Sequence, residues 1–187
     1  MKDDCVSSTE IRDEMCIDWD VPIEMDDSLI LRADVFRPFK EGRYPALLTY
    51  GPYAKGLAFQ DGYPSAWQRM VEEHPNVAAG STNKYQNWEV VDPEKWVPED
   101  YVCVRVDSRG CGCSPGYIDH FSPRETLDYY QCIEWAGKSK KLSSCTGLMP
   151  QVTGRCLDSS KQSEYPLQNR GSRPIRMNCP AACNNVL

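Results

Sequence analysis

The chain has 187 residues, with 21 Lys+Arg against 27 Asp+Glu for a net charge of −6, which leaves room for one domain or two small ones and not for a large enzyme. Hydrophobic residues make up 41% and charged residues 26%, ordinary globular usage that excludes collagen, a coiled coil and wholesale disorder. No run nears the roughly 18 apolar residues of a membrane-spanning helix, and Met1-Lys2-Asp3-Asp4-Cys5 opens without an apolar signal core, so the expectation is a cytoplasmic protein with no membrane partner.

In chain order, residues 1–14 read as an N-terminal extension. From Glu14 to Glu24, Met15, Ile17, Trp19, Val21 and Ile23 alternate with polar neighbours, the period of a half-buried strand. Asp26-Asp27-Ser28 is a turn, and Leu29, Leu31, Ala33 and Val35 then share one face up to Arg37-Pro38, so the pair predicts an antiparallel hairpin. Tyr44 to Tyr50 and Tyr101 to Val106 are short apolar runs, expected as interior strands of a sheet covered on both faces. Between them, Ser65 to Glu73 has helical character, while Gly80 to Pro98 is polar and turn-rich and reads as an elaborated loop. Ser122-Pro123-Arg124-Glu125 opens the clearest helix, with serine as N-cap, proline at the first position and glutamate completing a capping box. Its apolar face is expected to be Leu127, Tyr130, Ile133, Trp135 and Ala136, with Gly137 as the stop. An antiparallel hairpin leading into alternating strands and helices is the grammar of an α/β mixed sheet.

The average charge hides a break after Gly137. Residues 1–137 hold 13 Lys+Arg and 25 Asp+Glu, a net −12, and residues 138–187 hold 8 and 2, a net +6. Every Trp and Phe, and every Tyr except Tyr165, precedes the break. So little large apolar surface after residue 137 predicts a disordered basic tail over 138–187. Eight scattered positive charges without interleaved aromatics do not make a nucleic-acid surface, and none is expected to bind there.

Ten cysteines suggest a disulfide scaffold, but their spacing argues against one. Cys103 and Cys132 fall inside apolar periodic segments, where a free thiol acts as a small hydrophobe. The close pairs Cys111-x-Cys113 and Cys179-x-x-x-Cys183, with His74 and His120 the only histidines, do not form a zinc pattern, so no metal and no cofactor is expected. Both histidines read as surface or capping residues, His74 before Pro75 at a helix end and His120 ahead of the capped helix.

The one dense motif is Asp107-Ser108-Arg109-Gly110-Cys111-Gly112-Cys113-Ser114-Pro115-Gly116. Its glycines miss the spacing of a dinucleotide fingerprint, and the helix starts too late. Gly112 to Gly116 matches G-x-S-x-G, but a nucleophile elbow joins strand directly to helix. Ser114 follows the strand at a distance, so a turn serine bonded to nearby amides is the expected role. A Ser114-His120 dyad would lack an orienting acid and an oxyanion hole. The remaining reading is a sheet-to-helix loop at the carboxyl end of a central strand, where open α/β sheets place ligands.

This run, with Glu125, Asp128 and Ile133-Glu134-Trp135-Ala136 after it, resembles the X-Pro dipeptidyl-peptidase/cocaine esterase (CocE/NonD) family of α/β-hydrolases. Val21-Pro22-Ile23-Glu24-Met25-Asp26, Leu31 to Pro38, Tyr44 to Thr49 and Pro52-Tyr53-Ala54-Lys55 are similar to the family's earlier segments, and the resemblance covers residues 15–137. It implies the N-terminal part of an α/β-hydrolase sheet and a serine hydrolase that cleaves small ester or peptide substrates through an acyl-enzyme. By resemblance Tyr53 is the oxyanion-hole tyrosine. Asp107, Arg109, Gly110, Gly112, Ser114 and Gly116 are its structural loop, with Asp107 and Arg109 holding it by a charge-assisted hydrogen bond. The family's nucleophile should follow residue 137 on an apolar strand and a G-x-S-x-G turn, yet Gly137 to Gly147 shows neither. The nucleophile, base and acid are therefore expected to be absent, with residues 138–187 arising from a frameshift, a retained intron or a faulty gene model. The alternatives are a catalytically inactive truncated fragment and a small binding module using Trp67, Trp88 and Trp96.

Overall fold

The computed structural model describes residues 6–53, 55–139 and 142–148. The chain divides into two units, Met1–Thr153 and Gly154–Leu187, and the second lies outside the described residues. The first unit is a six-stranded mixed sheet of β1 (Ser8–Arg12), β2 (Met15–Glu24), β3 (Ile30–Pro38), β4 (Tyr44–Gly51), β5 (Val102–Asp107) and β6 (Leu142–Leu148), in the order β1-β2-β3-β5-β4-β6. From β1 to β5 neighbours run antiparallel, and β4 is parallel to both β5 and β6.

The alternation of side chains explains the two cores. Val102, Val104 and Val106 of β5 join Leu31, Ala33, Ala46 and Leu48 on one face, packed under Cys132 and Ala136 of α5 (Pro123–Lys138). Cys103 faces the other way and joins Met15, Ile17, Phe36, Tyr85 and Val97. Every residue of β5 is buried, as expected of an interior strand. Cys16, Cys103, Cys111 and Cys132 are buried free thiols, with Cys103 and Cys132 in the core as expected, while Cys113 is disulfide-bonded.

Between β4 and β5 lie α1 (Phe59–Gly62), α2 (Pro64–Glu73), α3 (Pro75–Ala78), α4 (Pro93–Trp96) and a 3₁₀ turn at Val97–Glu99. The expected loop over 80–98 thus contains short helices, α4 being started by Asp92, whose side chain accepts from the Glu94 amide. Proline at the first helical position opens α2, α3 and α4.

Three expectations are corrected. Residues 8–12, expected as part of an extension, form β1, an edge strand with four of five residues exposed, so no apolar alternation marks it. The unstructured tail from residue 138 does not hold for Lys138, the last residue of α5, or for Leu142–Leu148, which pairs with the open edge of β4. Backbone pairing to an existing strand, not an apolar pattern, makes β6 a strand. The rest of the expected tail lies outside the described residues. Finally, the inward face of α5 is Asp128, Cys132 and Ala136, while Leu127 is exposed. The i, i+4 row through Asp128 turns inward because two arginines meet that carboxylate there.

Ser122 caps α5 as expected, its Oγ accepting from the Glu125 amide at 3.1 Å. Glu125 reaches back to the Phe121 amide at 2.6 Å, one residue before the cap. Replacing Ser122 by Ala should lower the unfolding free energy by about 1 kcal/mol, measured by urea titration followed by circular dichroism, with little change in native helix content.

Candidate functional site

Asp107 ends β5 and is 2% exposed. Its Oδ1 accepts from the Lys55 amide at 2.8 Å and its Oδ2 from the Cys113 amide at 2.9 Å. One carboxylate thus ties the loop after β4 to the glycine turn after β5. The backbone of the two strands adds a further bond, from the Ser108 amide to the Gly51 carbonyl at 3.0 Å. Burial raises the Asp107 pKa above the usual carboxylate value, outweighing the two amides and the charge of Lys55.

The glycine turn closes on this carboxylate. Gly112 has φ of 47°, and a Cβ there would lie 2.1 Å from Asp107 Oδ2, so only glycine fits. Gly110 has φ of 80°, with Ile118 N 2.6 Å from where a Cβ would stand. Gly116 passes over the Arg109 side chain. Ser114 is 1% exposed; its hydroxyl donates to the Asp107 carbonyl at 2.7 Å and accepts from the Arg32 amide at 2.9 Å. The proton and one lone pair of that hydroxyl are committed to backbone groups, which holds the turn against β3. His120 instead lies 3.5 Å from Glu125.

Arg109 does not pair with Asp107, as the sequence reading supposed. Its Nε donates to Asp128 Oδ2 at 2.8 Å, its Nη2 to Asp128 Oδ1 at 3.0 Å, and its Nη1 lies 2.9 Å from Asp27. Arg124 joins Asp128 to Asp26. The hydrogen bonds that Arg109 donates to Asp128, and then that to Asp27, push the Arg109 pKa up against the effect of burial. Two arginines and three aspartates therefore stitch the β2–β3 turn, the glycine turn and α5 together.

Tyr53 stands in the loop beyond the carboxyl end of β4, half-buried, its ring 6.4 Å from Tyr63 and nearly perpendicular to it. Burial, then the nearby Glu89 charge, raise its phenol above the ordinary value. Lys55, two residues on, is buried in an ion pair that residue order does not reveal. Its Nζ is 2.6 Å from Asp20 and 2.9 Å from Asp34, and its side chain is 8% exposed. Burial lowers its pKa, but Asp34 and Asp20 outweigh burial and the net shift is upward. Asp20 reaches it because β2 carries a bulge between Asp18 and Val21, with Asp20 at φ of 49°. The alternating pattern of β2 gives no sign of that bulge.

Trp67 and Trp88 pack with Phe59, at 5.3 and 4.9 Å between ring centroids, next to Tyr63. Trp96 is apart from them, against Tyr101 at 5.2 Å. The three tryptophans expected of a binding module do not share one cluster. Among the described residues no group of histidine, cysteine and carboxylate side chains could hold a metal ion, and no helix is long and apolar enough to cross a membrane.

The family model for the X-Pro dipeptidyl-peptidase (S15 family) matches residues 27–155. The chain belongs to the S15 family. That match runs past Gly137, where the sequence reading ended the resemblance, and takes in β6. Two crystal structures of a CocE/NonD family hydrolase (SACOL2612) from Staphylococcus aureus are each 32% identical over 72% of this S15-family chain, with a TM-score of 0.58. The chain covers 22% and 23% of the hydrolase chain in those two structures. Acetyl xylan esterase 1 from Thermoanaerobacterium sp. JW/SL YS485 is 14% identical over 78% of the chain and 43% of its own, with a TM-score of 0.47. No curated protein matches. Peptidases and esterases of this family are hydrolases, and the mixed sheet with its helices matches the α/β-hydrolase-like fold of these structures over the part of their length that the chain covers.

The raised pKa of Asp107 has a stability consequence. Its contribution is full below the unfolded carboxylate value of about 3.9 and is lost as pH rises through the higher folded value. Asp107→Asn cannot titrate, so the unfolding free energy of wild type relative to this variant should be most favourable near the acid end and shrink toward neutrality. Urea titrations across that range measure it; a gap that widens with pH would show the two amides winning over burial. Hydrogen exchange at the Lys55 and Cys113 amides should be faster in the variant.

Proposed function

We propose that the chain is the oxyanion-side part of a serine hydrolase of the X-Pro dipeptidyl-peptidase/esterase type, acting on small ester or peptide substrates, with Tyr53 supplying a hydrogen bond to the oxyanion. The observation that carries this reading is the position of Tyr53. It lies just past the carboxyl end of β4, where a parallel α/β sheet places its ligands, in a loop anchored by the Lys55 amide on Asp107 and by the Lys55 ammonium on Asp20 and Asp34. An oxyanion donor is effective only when held in place before the charge develops, and this anchoring supplies that rigidity. The membership of the S15 family supports the reaction class.

The second reading is that these 187 residues do not carry out the reaction alone. The burial and double backbone bonding of Ser114 favour it, since a nucleophilic serine must offer its hydroxyl to a base.

Two experiments separate the readings. Where a full-length S15-family hydrolase carries a tyrosine at the position aligned with Tyr53, replacing it by Phe should lower kcat by about 10²- to 10³-fold with a small change in KM; unchanged kcat removes the oxyanion role. In the present chain, a fluorophosphonate probe should leave Ser114 unmodified by peptide mass spectrometry. Modification that disappears in Ser114→Ala would restore the loop serine as nucleophile.

A further inference from the structure

The aromatic surface beside Tyr53 carries a carboxylate that the fold does not use. The Tyr63 ring stands 6.4 Å from that of Tyr53 and 4.8 Å from that of Trp88. Phe59, the buried member of the cluster, lies 4.9 Å from Trp88. Tyr63 is 36% exposed, and Tyr53 and Trp88 are half-buried, so these rings keep part of their surface in water instead of closing into a core.

Glu89 follows Trp88 and is exposed. Its chain neighbours place it from both sides: Trp88 packs on Tyr63, and Val90 lines the same narrow cleft as Tyr53. Asn87 holds this segment to the Tyr53 loop, its side-chain amide donating to the Lys55 carbonyl at 3.0 Å. The Glu89 charge is felt at the Tyr53 phenol, whose pKa is raised first by burial and then by Glu89. Yet among the described residues the Glu89 carboxylate takes part in no hydrogen bond and no ion pair, and Lys55, the cation of the Tyr53 loop, is committed to Asp20 and Asp34. Glu89 also has φ of 55°, a left-handed conformation that glycine or asparagine adopts at less cost. A carboxylate kept at such a position without a structural partner points to a use outside the fold.

We propose that Tyr63, Trp88 and Glu89 form a surface site for an alkylated ammonium ion. A cation is attracted to the face of a tyrosine or tryptophan ring within about 6 Å of its centre, and the carboxylate supplies the opposite charge. The rings select an alkylated nitrogen over a primary ammonium or a bare metal ion, because its methyl groups remove apolar surface from water as they cover the aromatic faces. An anion is repelled by Glu89, and an uncharged apolar group leaves that carboxylate unanswered. Ring packing by itself is the role of Phe59 and Trp67; the exposed rim of Tyr63 beside a free carboxylate is what packing does not require. The ion lies on the rings and does not enter the cleft between Tyr53 and Val90, which is too narrow for it. The site does not require Tyr53 to act in catalysis.

The test is a titration of the ¹⁵N-labelled 187-residue chain with tetramethylammonium chloride, following the Glu89 and Val90 amides and the Trp88 indole N–H. Sodium chloride at matched ionic strength, methylammonium chloride and tert-butanol, an uncharged molecule of similar size, are the comparisons. Tetramethylammonium should move these resonances saturably, methylammonium should bind several-fold more weakly, and sodium and tert-butanol should give no saturable shift. Glu89→Gln, an exposed change, should weaken tetramethylammonium binding several-fold. Tyr63→Leu keeps apolar bulk but lacks the ring and should abolish the saturable shift. The proposal is overturned if tetramethylammonium does not saturate, if any of the three comparisons matches it, or if either variant titrates like wild type. Should Tyr63→Leu fail to fold, Glu89→Gln and the wild-type comparison of tetramethylammonium with tert-butanol decide.

Discussion

The arrangement of this domain depends on the buried carboxylate at the end of β5. Asp107 accepts one amide from the loop after β4 and one from the glycine turn after β5, and its own carbonyl accepts the Ser114 hydroxyl. Two loops that leave neighbouring parallel strands are thereby locked to each other instead of diverging into solvent. The cost is the burial of a carboxylate, visible in its raised pKa. Gly112 is the steric consequence: the chain must pass so close to that carboxylate that a Cβ is not tolerated. A site placed at the carboxyl ends of parallel strands needs such cross-loop bonding, because loops there have no sheet hydrogen bonds of their own.

A second constraint is ionic. Residues 1–137 carry an excess of acid, yet several of those acids work as internal ties. Asp20 and Asp34 hold Lys55; Asp26, Asp27 and Asp128 hold Arg109 and Arg124. The first set anchors the tyrosine loop to a bulge in β2, and the second anchors the β2–β3 turn to α5. Both join segments far apart in sequence; the first uses the buried Asp34 and the partly buried Asp20, and the second centres on the buried Asp128, with the exposed Asp26 and Asp27 adding the weaker contacts of surface pairs. The structural and the functional parts of the domain therefore rely on the same means. Arg105 is the exception: it carries a buried charge without a contact ion pair among the described residues.

Much of the sheet was legible from residue order. The alternation in β2 and β3, the apolar runs of β4 and β5 and the Ser122 cap all have a local cause that the residues themselves display. The misses also share one cause. β1 and β6 are edge strands whose pairing is a backbone matter, so a five-residue exposed segment and LSSCTGL give no apolar alternation to read. The inward face of α5 was misjudged because Asp128 looks like a surface residue until its two arginines are in view.

The sequence by itself determined the strands with buried faces, the capped helix and the hydrolase-like motifs, since periodicity, caps and motif spacing are properties of neighbouring residues; Tyr53 came from the family resemblance alone. Only the tertiary structure decided that Arg109 answers Asp128 and Asp27 and not Asp107, that Ser114 is bonded on both sides to backbone, and that Lys55 is clamped between Asp20 and Asp34. Those pairings join residues up to 82 positions apart, and a charged side chain's partner is chosen by which strands and loops come to lie side by side, information that no local pattern contains.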